Sequence, residues 1–285
     1  MEMFIVRAIM FITLSTSTLL FFPCQADNNE LLGFTCSSGS DDSTADSDEF
    51  QANLKDLLTS LAANGPANNG FYTTKAGGKG HNRIYGLAQC RGDIAATDCA
   101  NCIRNSSSMT NGCPASAKSA TIWFKWCVIR YSNVSFFGTW DQAGIAVYNS
   151  SNLDDPRVFQ DAVNMMNQLA YSVPQQPNSM FQTEVIDVGE SGKRYGMGQC
   201  TSDISRTDCG KCLNFQLNNY MTSVGNKRWW VIYGSSCSLW YYDYKFYFNY
   251  SISASAAASD LQGIKIFPRM GKSMLVMLFL LVLQP

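Results

Sequence analysis

Tyr85-Gly86-Leu87-Ala88-Gln89-Cys90-Arg91-Gly92-Asp93-Ile94-Ala95-Ala96-Thr97-Asp98-Cys99-Ala100-Asn101-Cys102 is written a second time, 110 residues on, as Tyr195-Gly196-Met197-Gly198-Gln199-Cys200-Thr201-Ser202-Asp203-Ile204-Ser205-Arg206-Thr207-Asp208-Cys209-Gly210-Lys211-Cys212. The same offset carries Cys127 onto Cys237, so four cysteines recur with every internal gap kept. Two further cysteines, Cys36 and Cys113, occur only in the first copy, and the matching positions are Ala146 and Ser223. Losing one member of a bonded pair strands a thiol, whereas losing both removes one staple cleanly, so the joint absence points to a Cys36–Cys113 bond.

Core-like positions match as well: Ile122 with Ile232, Tyr131 with Tyr241, and Phe136-Phe137 with Phe246-Tyr247. Phe50, Leu54, Leu57 and Leu61 fall at helical spacing, as do Phe159, Val163, Met166 and Ala170. Asn64-Gly65-Pro66 and Val173-Pro174 would end these two helices. A second helix in each copy is expected to begin after Thr97 or Asp98, and after Thr207 or Asp208, residue types that cap N-termini. Cys99 and Cys102 then share one helical face. Thr121 to Tyr131 and Arg228 to Tyr250 read as strands, with shorter ones before Cys36 and around Ile145-Ala146-Val147-Tyr148. This pattern implies an α+β fold, with two helices on one face of an antiparallel sheet in each copy.

The ends of the chain bear on compartment. Arg7, the apolar Ala8–Phe22 stretch and the small residues before Asp27 fit a signal peptide over residues 1–26. Its removal takes Cys24 and leaves ten of the 11 cysteines, an even number suited to an oxidising compartment. Sequons at Asn105, Asn133, Asn149 and Asn249 agree with secretion and mark glycosylation candidates. Residues 253–285 comprise small residues, a spacer and the apolar run Met274–Leu283, too short to span a bilayer but suited to a glycosylphosphatidylinositol (GPI) attachment signal. With 21 basic and 22 acidic side chains and no long basic run, nucleic acid is not an expected partner.

The duplicated cysteine core, the Tyr-Gly-x-x-Gln-Cys lead-in and Cys127-Val128-Ile129-Arg130-Tyr131-Ser132-Asn133 with Phe136-Phe137-Gly138 resemble the plant cysteine-rich repeat secretory proteins. Their domain, often called stress-antifungal, is that of ginkbilobin. The resemblance implies two tandem ginkbilobin-homologous, disulfide-stapled domains at 27–138 and 139–252. It also implies the bonds Cys36–Cys113, Cys90–Cys99, Cys102–Cys127, Cys200–Cys209 and Cys212–Cys237. Ginkbilobin's mannose-binding positions fall here on Ser37, Thr121 and Ser132, and in the second copy on Val147, Val231 and Tyr242. None keeps the ligand type, so that sugar site is not carried over.

Competing chemistries fare poorly. A redox dithiol needs Cys99 and Cys102 bonded to each other, and a four-thiolate zinc site suits a reducing cell better than a secreted chain. The single histidine, His81, lies in a Gly-rich segment that reads as a hairpin loop, without the Gly-x-x-x-x-Gly-Lys-Ser/Thr of a phosphate loop. Asp93/Asp203 and Asp98/Asp208 repeat at matching positions, as capping or turn residues would. No cofactor, metal or catalytic group is therefore expected. Among many aromatics, Trp230, Tyr242 and Tyr244 are the candidate exposed ligand contacts. The expected partners are cell-wall glycans or membrane receptor proteins, with direct antifungal action as a further reading.

Overall fold

The computed structural model describes residues 29–38, 47–78, 80, 82–109, 113–114 and 117–248. The expected signal peptide over residues 1–26, His81, Asn249 and the tail at 253–285 lie outside these residues. The first repeat runs β1 (Leu31–Ser38), α1 (Ser47–Asn64), β2 (Phe71–Ala76), β3 (Ile84–Cys90), α2 (Ala96–Met109), β4 (Ala117–Phe124) and β5 (Cys127–Ser132). The second follows as β6 (Gly144–Tyr148), α3 (Pro156–Ser172), β7 (Phe181–Asp187), β8 (Lys193–Cys200), α4 (Arg206–Val224), β9 (Trp230–Gly234) and β10 (Cys237–Tyr242). Each repeat forms a five-stranded antiparallel sheet, in the orders β1-β4-β5-β3-β2 and β6-β9-β10-β8-β7.

Two helices cover one face of each sheet. In the first repeat Phe50, Leu54, Leu57 and Leu61 of α1 are buried with Cys99, Cys102 and Ile103 of α2, against Ile84, Ala88, Ile122, Ile129 and Tyr131. Met166, Leu169, Cys209, Cys212 and Leu213 do the same in the second, against Ile232, Leu239 and Tyr241. Helical periodicity finds its sheet on α1, while on α3 the buried stripe is Val158, Ala162, Met165, Met166, Leu169 and Ala170, and Phe159 and Val163 of the expected stripe are only half-buried.

Disulfides fix the second helix of each repeat. Cys99 bonds Cys90 and Cys102 bonds Cys127, while Cys90 and Cys127 are themselves register partners on β3 and β5. The second repeat repeats this arrangement with Cys209–Cys200, Cys212–Cys237 and the register pair Cys237/Cys200. Cys36–Cys113 adds a bond closing 77 residues in the first repeat, worth about 4.5 kcal/mol on a chain-entropy estimate. In the second, Tyr220 of α4 donates its hydroxyl to the Gly144 carbonyl at 2.5 Å, tying helix to edge strand without a covalent bond.

The helix-free faces of the two sheets meet each other. Trp123, Leu32 and Val128 of the first repeat pack with Val231, Tyr233, Met197 and Trp240 of the second. Polar contacts at this seam occur twice, with the repeats exchanged. Gly92 N–H donates to Gln199 Oε1 at 3.1 Å, and Ser202 N–H donates to Gln89 Oε1 at 3.2 Å. Gly138 N–H donates to Asp203 at 3.0 Å, and Phe248 N–H donates to Asp93 at 2.9 Å. Reciprocity of this kind is the signature of a two-fold interface, here built within one chain. It also gives Asp93 and Asp203 their roles: both accept backbone hydrogen bonds from the opposite repeat.

Three expectations are corrected. Both second helices begin earlier than Thr97/Asp98 and Thr207/Asp208: α4 is capped by Ser205, whose Oγ accepts from Asp208 N–H at 3.0 Å, leaving Thr207 and Asp208 inside the first turn. In α4 several residues are cap-competent and the earliest is used, whereas α2 begins at Ala96 behind Ala95, which offers no side-chain acceptor. Thr121–Tyr131 spans two strands with a tight turn at Lys125-Trp126. The strand reading of Arg228–Tyr250 yields a hairpin that ends at Tyr242, beyond which the aromatic run folds back as loop against the sheet.

Two variants test this architecture. A Cβ on Gly92 would lie 2.6 Å from the Phe181 ring of the other repeat, so Gly92→Ala is expected to cost about 1–3 kcal/mol. Ser202→Ala, at the matching exposed position, meets no such clash and loses only its hydroxyl's 3.2 Å bond to Gln89 Oε1, so it is expected to cost no more than about 1 kcal/mol. The position matching the Ser205 cap is Ala95, whose carbonyl already accepts from Cys99 N–H at 2.9 Å. Ala95→Ser is expected to raise stability by about 1 kcal/mol, readable as a shifted midpoint at constant m-value.

Candidate functional site: a polar cleft beside the repeat interface

The face of the first sheet opposite its helices is only partly covered by the second repeat. A cleft of about 180 Å³ remains at the margin, lined by Ser37, Ser119, Thr121, Arg130, Ser132 and Asp141 among others. Strand alternation places these groups. On β5, Cys127, Ile129 and Tyr131 are buried while Val128, Arg130 and Ser132 are half-buried and turn to the opposite face. Register sets Ser119 opposite Ser132, Thr121 opposite Arg130, and Ser37 opposite Ser119.

Arg130 dominates the electrostatics. Its Nη2 donates to Asp141 Oδ2 at 2.7 Å, and its guanidinium lies 4.2 Å from the centre of the Phe136 ring. Burial pushes its pKa down from the ordinary arginine value, and Asp141 opposes that shift. Asp141 is itself pinned: its N–H donates to Ser236 Oγ at 3.0 Å, and Oδ1 accepts from Ala143 N–H at 2.6 Å. The charge is thus neutralised in place, and the remaining polar lining of the cleft is chiefly hydroxyl. Such a set offers hydrogen bonds to a polar ligand.

Ser37, Thr121 and Ser132, dispersed in sequence, are brought together on this cleft. Thr121 is buried, its Oγ1 3.3 Å from Ser235 Oγ of the second repeat. Their counterparts Val147, Val231 and Tyr242 meet a different fate. All three pack into the apolar seam between the repeats, where Val231 is 1% exposed. At the matching positions of the second repeat, apolar side chains of the seam thus replace the hydroxyls, with Val147 and Tyr242 half-buried.

The aromatic candidates separate. Trp230 is not an exposed contact: it is 3% exposed and packs in the second core, its ring 5.6 Å from Tyr241. Its neighbour Trp229 occupies the outward position instead, stacked on Tyr242 with centroids 5.3 Å apart and planes within 8°. Tyr242 is half-buried and packs against Tyr244 at 5.0 Å and Phe246 at 4.3 Å, while Tyr244 is 53% exposed. Of the glycosylation candidates, Asn105 is exposed on α2, whereas Asn133 and Asn149 are half-buried, with Asn149 Oδ1 accepting from Trp229 N–H at 3.3 Å.

Sequence reasoning missed Arg130 with Asp141, and also the buried Arg91–Asp93 pair at 2.6 Å near the repeat seam. Arg91 and Asp93 stand two apart in the opening stretch, the one available signal. Among the described residues, no cluster of His, Cys, Asp and Glu is arranged to hold a metal ion, and no helix is long and apolar enough to cross a membrane.

A tandem pair of disulfide-stapled α+β repeats with this core defines a class. The chain belongs to the salt stress response/antifungal family, which matches residues 35–134 and 148–244. It is 32% identical to an antimicrobial ginkbilobin-2-like protein of Castanea crenata over 69% of this chain and 81% of that protein. It is 30% identical to cysteine-rich repeat secretory protein 38 of Arabidopsis thaliana, covering 85% of this chain and 95% of that protein. Cysteine-rich receptor-like protein kinase 8 of the same plant is 31% identical over 81% of this chain but only 34% of its own length. Among solved structures, the tandem DUF26 ectodomain of the Arabidopsis thaliana cysteine-rich receptor-like protein PDLP8 shares the fold, with a TM-score of 0.61 at 21% identity, covering 75% of this chain and 98% of that one.

The Arg130–Asp141 pair should behave as a structural clamp on the cleft. Asp141→Ala is expected to cost about 1–3 kcal/mol by leaving a mostly buried guanidinium without its acceptor. Replacing Arg130→Met in the same chain should recover part of that loss in a double-mutant cycle.

Proposed function

We propose that this chain is a non-enzymatic, secreted recognition protein of the apoplast that binds carbohydrate or cell-wall material in plant defence or stress signalling. The observation that carries this reading is the hydroxyl-lined cleft, where Ser37, Ser119, Thr121 and Ser132 converge beside a neutralised arginine. Hydroxyl and amide groups on a preformed margin recognise polyols through hydrogen bonds, and the cleft presents no nucleophile held by a base. The extracellular relatives, the disulfides and the secretory sequons support the compartment. Glycans on Asn105, Asn133, Asn149 and Asn249, and a GPI anchor after removal of residues 253–285, belong to the same reading.

A second reading is a protein-interaction ectodomain that pairs with membrane receptors. It is favoured by the receptor-like relatives and by Tyr244, an exposed aromatic beside the Trp229/Tyr242 stack, the kind of residue that anchors interfaces. Direct antifungal action rests on the antimicrobial relative alone.

A glycan array followed by calorimetry with purified protein separates these. Binding of a neutral plant or fungal wall glycan is expected, and Ser37→Trp, which fills the cleft from an exposed position, should weaken it at least tenfold without lowering the melting temperature. Silence across the array, together with specific capture of a receptor ectodomain that Tyr244→Ala abolishes, would establish the second reading instead.

A further inference from the structure

Ile84 and Arg194 are matching positions, each near the start of the strand that leads to a core cysteine. Ile84 is wholly buried in the first core. Arg194 is buried almost as deeply, with 6% of its surface exposed, on the face that α3 covers. Its Nη1 donates to the carbonyls of Ser191 and Lys193, both at 2.9 Å, but its Nε is buried with no acceptor. No carboxylate among the described residues pairs with it. The adjoining Tyr241 is a hydrogen-bonding neighbour of Arg194 but brings no negative charge, because burial pushes its phenol up to about 12. A buried guanidinium without a counter-charge is costly, and an apolar side chain serves the same place in the first repeat.

Arg194 faces a cleft of about 260 Å³ whose other polar lining is Asn152, Asp154, Asp155, Ser191 and Arg228. Arg228 is already engaged by Asp243, its Nε donating at 2.7 Å. Asp155 caps α3, accepting from Arg157 N–H at 2.8 Å, and Asp154 is exposed at the rim. One uncompensated cation therefore sits at the floor, while the rim is rich in carboxylate and amide acceptors. A compact inorganic anion suits the floor but is repelled by the rim. A ligand with one carboxylate and several hydroxyls satisfies both, setting its carboxylate against the part of the Arg194 guanidinium that lines the cleft and donating hydroxyls to Asp154, Asp155 and Asn152. The volume lies below the roughly 300–1,000 Å³ of pockets for drug-sized ligands, which fits a single ring.

We propose that this second-repeat cleft binds a hexuronate, free or as the terminal unit of an acidic saccharide, through its carboxylate on Arg194. The site is separate from the first-repeat cleft and does not depend on it. The first repeat, with Ile84, has no counterpart.

Titration of the whole purified protein with galacturonate and glucuronate, followed by calorimetry and by ligand-induced rise in melting temperature, tests this. Saturable uronate binding is expected, at least tenfold tighter than binding of glucose, of inorganic sulfate or of galacturonate methyl ester. Arg194→Ile, the residue of the other repeat, should lose it at least tenfold while melting no lower than the parent. Ser37→Trp should leave it unchanged, so a failure here is distinguishable from failure of the first cleft. Absence of saturable uronate binding would overturn the proposal, as would equal binding of the methyl ester or of sulfate, or undiminished binding by folded Arg194→Ile. The ester comparison decides the matter even if the variant fails to fold.

Discussion

One turn of helix held at two points by neighbouring strands is the constraint on which the rest depends. Cys99 and Cys102 lie three residues apart on α2, and their partners Cys90 and Cys127 face each other across β3 and β5. The two bonds together fix both the height and the rotation of the helix over the sheet, which neither could do alone. With the helices committed to one face, the other face has to be covered by something else or stay polar. In this chain its centre is covered by the second repeat, and its margin carries serine, threonine and a paired arginine.

The same constraint explains why the repeats diverged unevenly. At a two-fold seam made from two similar sheets, each face must supply apolar surface where it is covered and polar groups where it is not. Val147, Val231 and Tyr242 lie in the covered part, and their matching positions Ser37, Thr121 and Ser132 border the open cleft. At Val231 the apolar character follows from desolvation, since an Arg there would be buried without a partner, while half-buried Val147 and Tyr242 contribute apolar surface to the seam. The loss of the covalent staple in the second repeat is of the same kind. Edge strand β6 is held by the Tyr220 hydrogen bond from α4 and by the packing of Ile145 and Val147 into the seam, so a bond to the end of that helix has less to add.

Much of this architecture could be read from residues alone, because helical spacing and cysteine spacing are local. Phe50, Leu54, Leu57 and Leu61 announced α1, and each is buried. Trp230 was misplaced for an instructive reason. All five residues of β9 are buried, so the usual alternation of polar and apolar positions that marks an outward face is absent, and a shift of one residue exchanges Trp229 for Trp230. The helix starts were ambiguous because Ser205, Thr207 and Asp208 are all competent caps. The charged groups were illegible for a different reason: Arg130 finds Asp141 across a turn of chain, and Arg194 finds no carboxylate, facts of three-dimensional placement that no spacing rule contains.

Duplication also changes what a buried charge can mean. In a single domain, an arginine in the core has no internal reference, and its cost could be a necessity of the fold. Here Ile84 occupies the matching position on the matching strand, under the matching helix, and is buried in an intact core. The fold therefore does not require a cation at that point. Whatever holds Arg194 in place acts on the second repeat alone, at a cleft whose rim offers acceptors and whose floor holds a guanidinium with no carboxylate partner among the described residues.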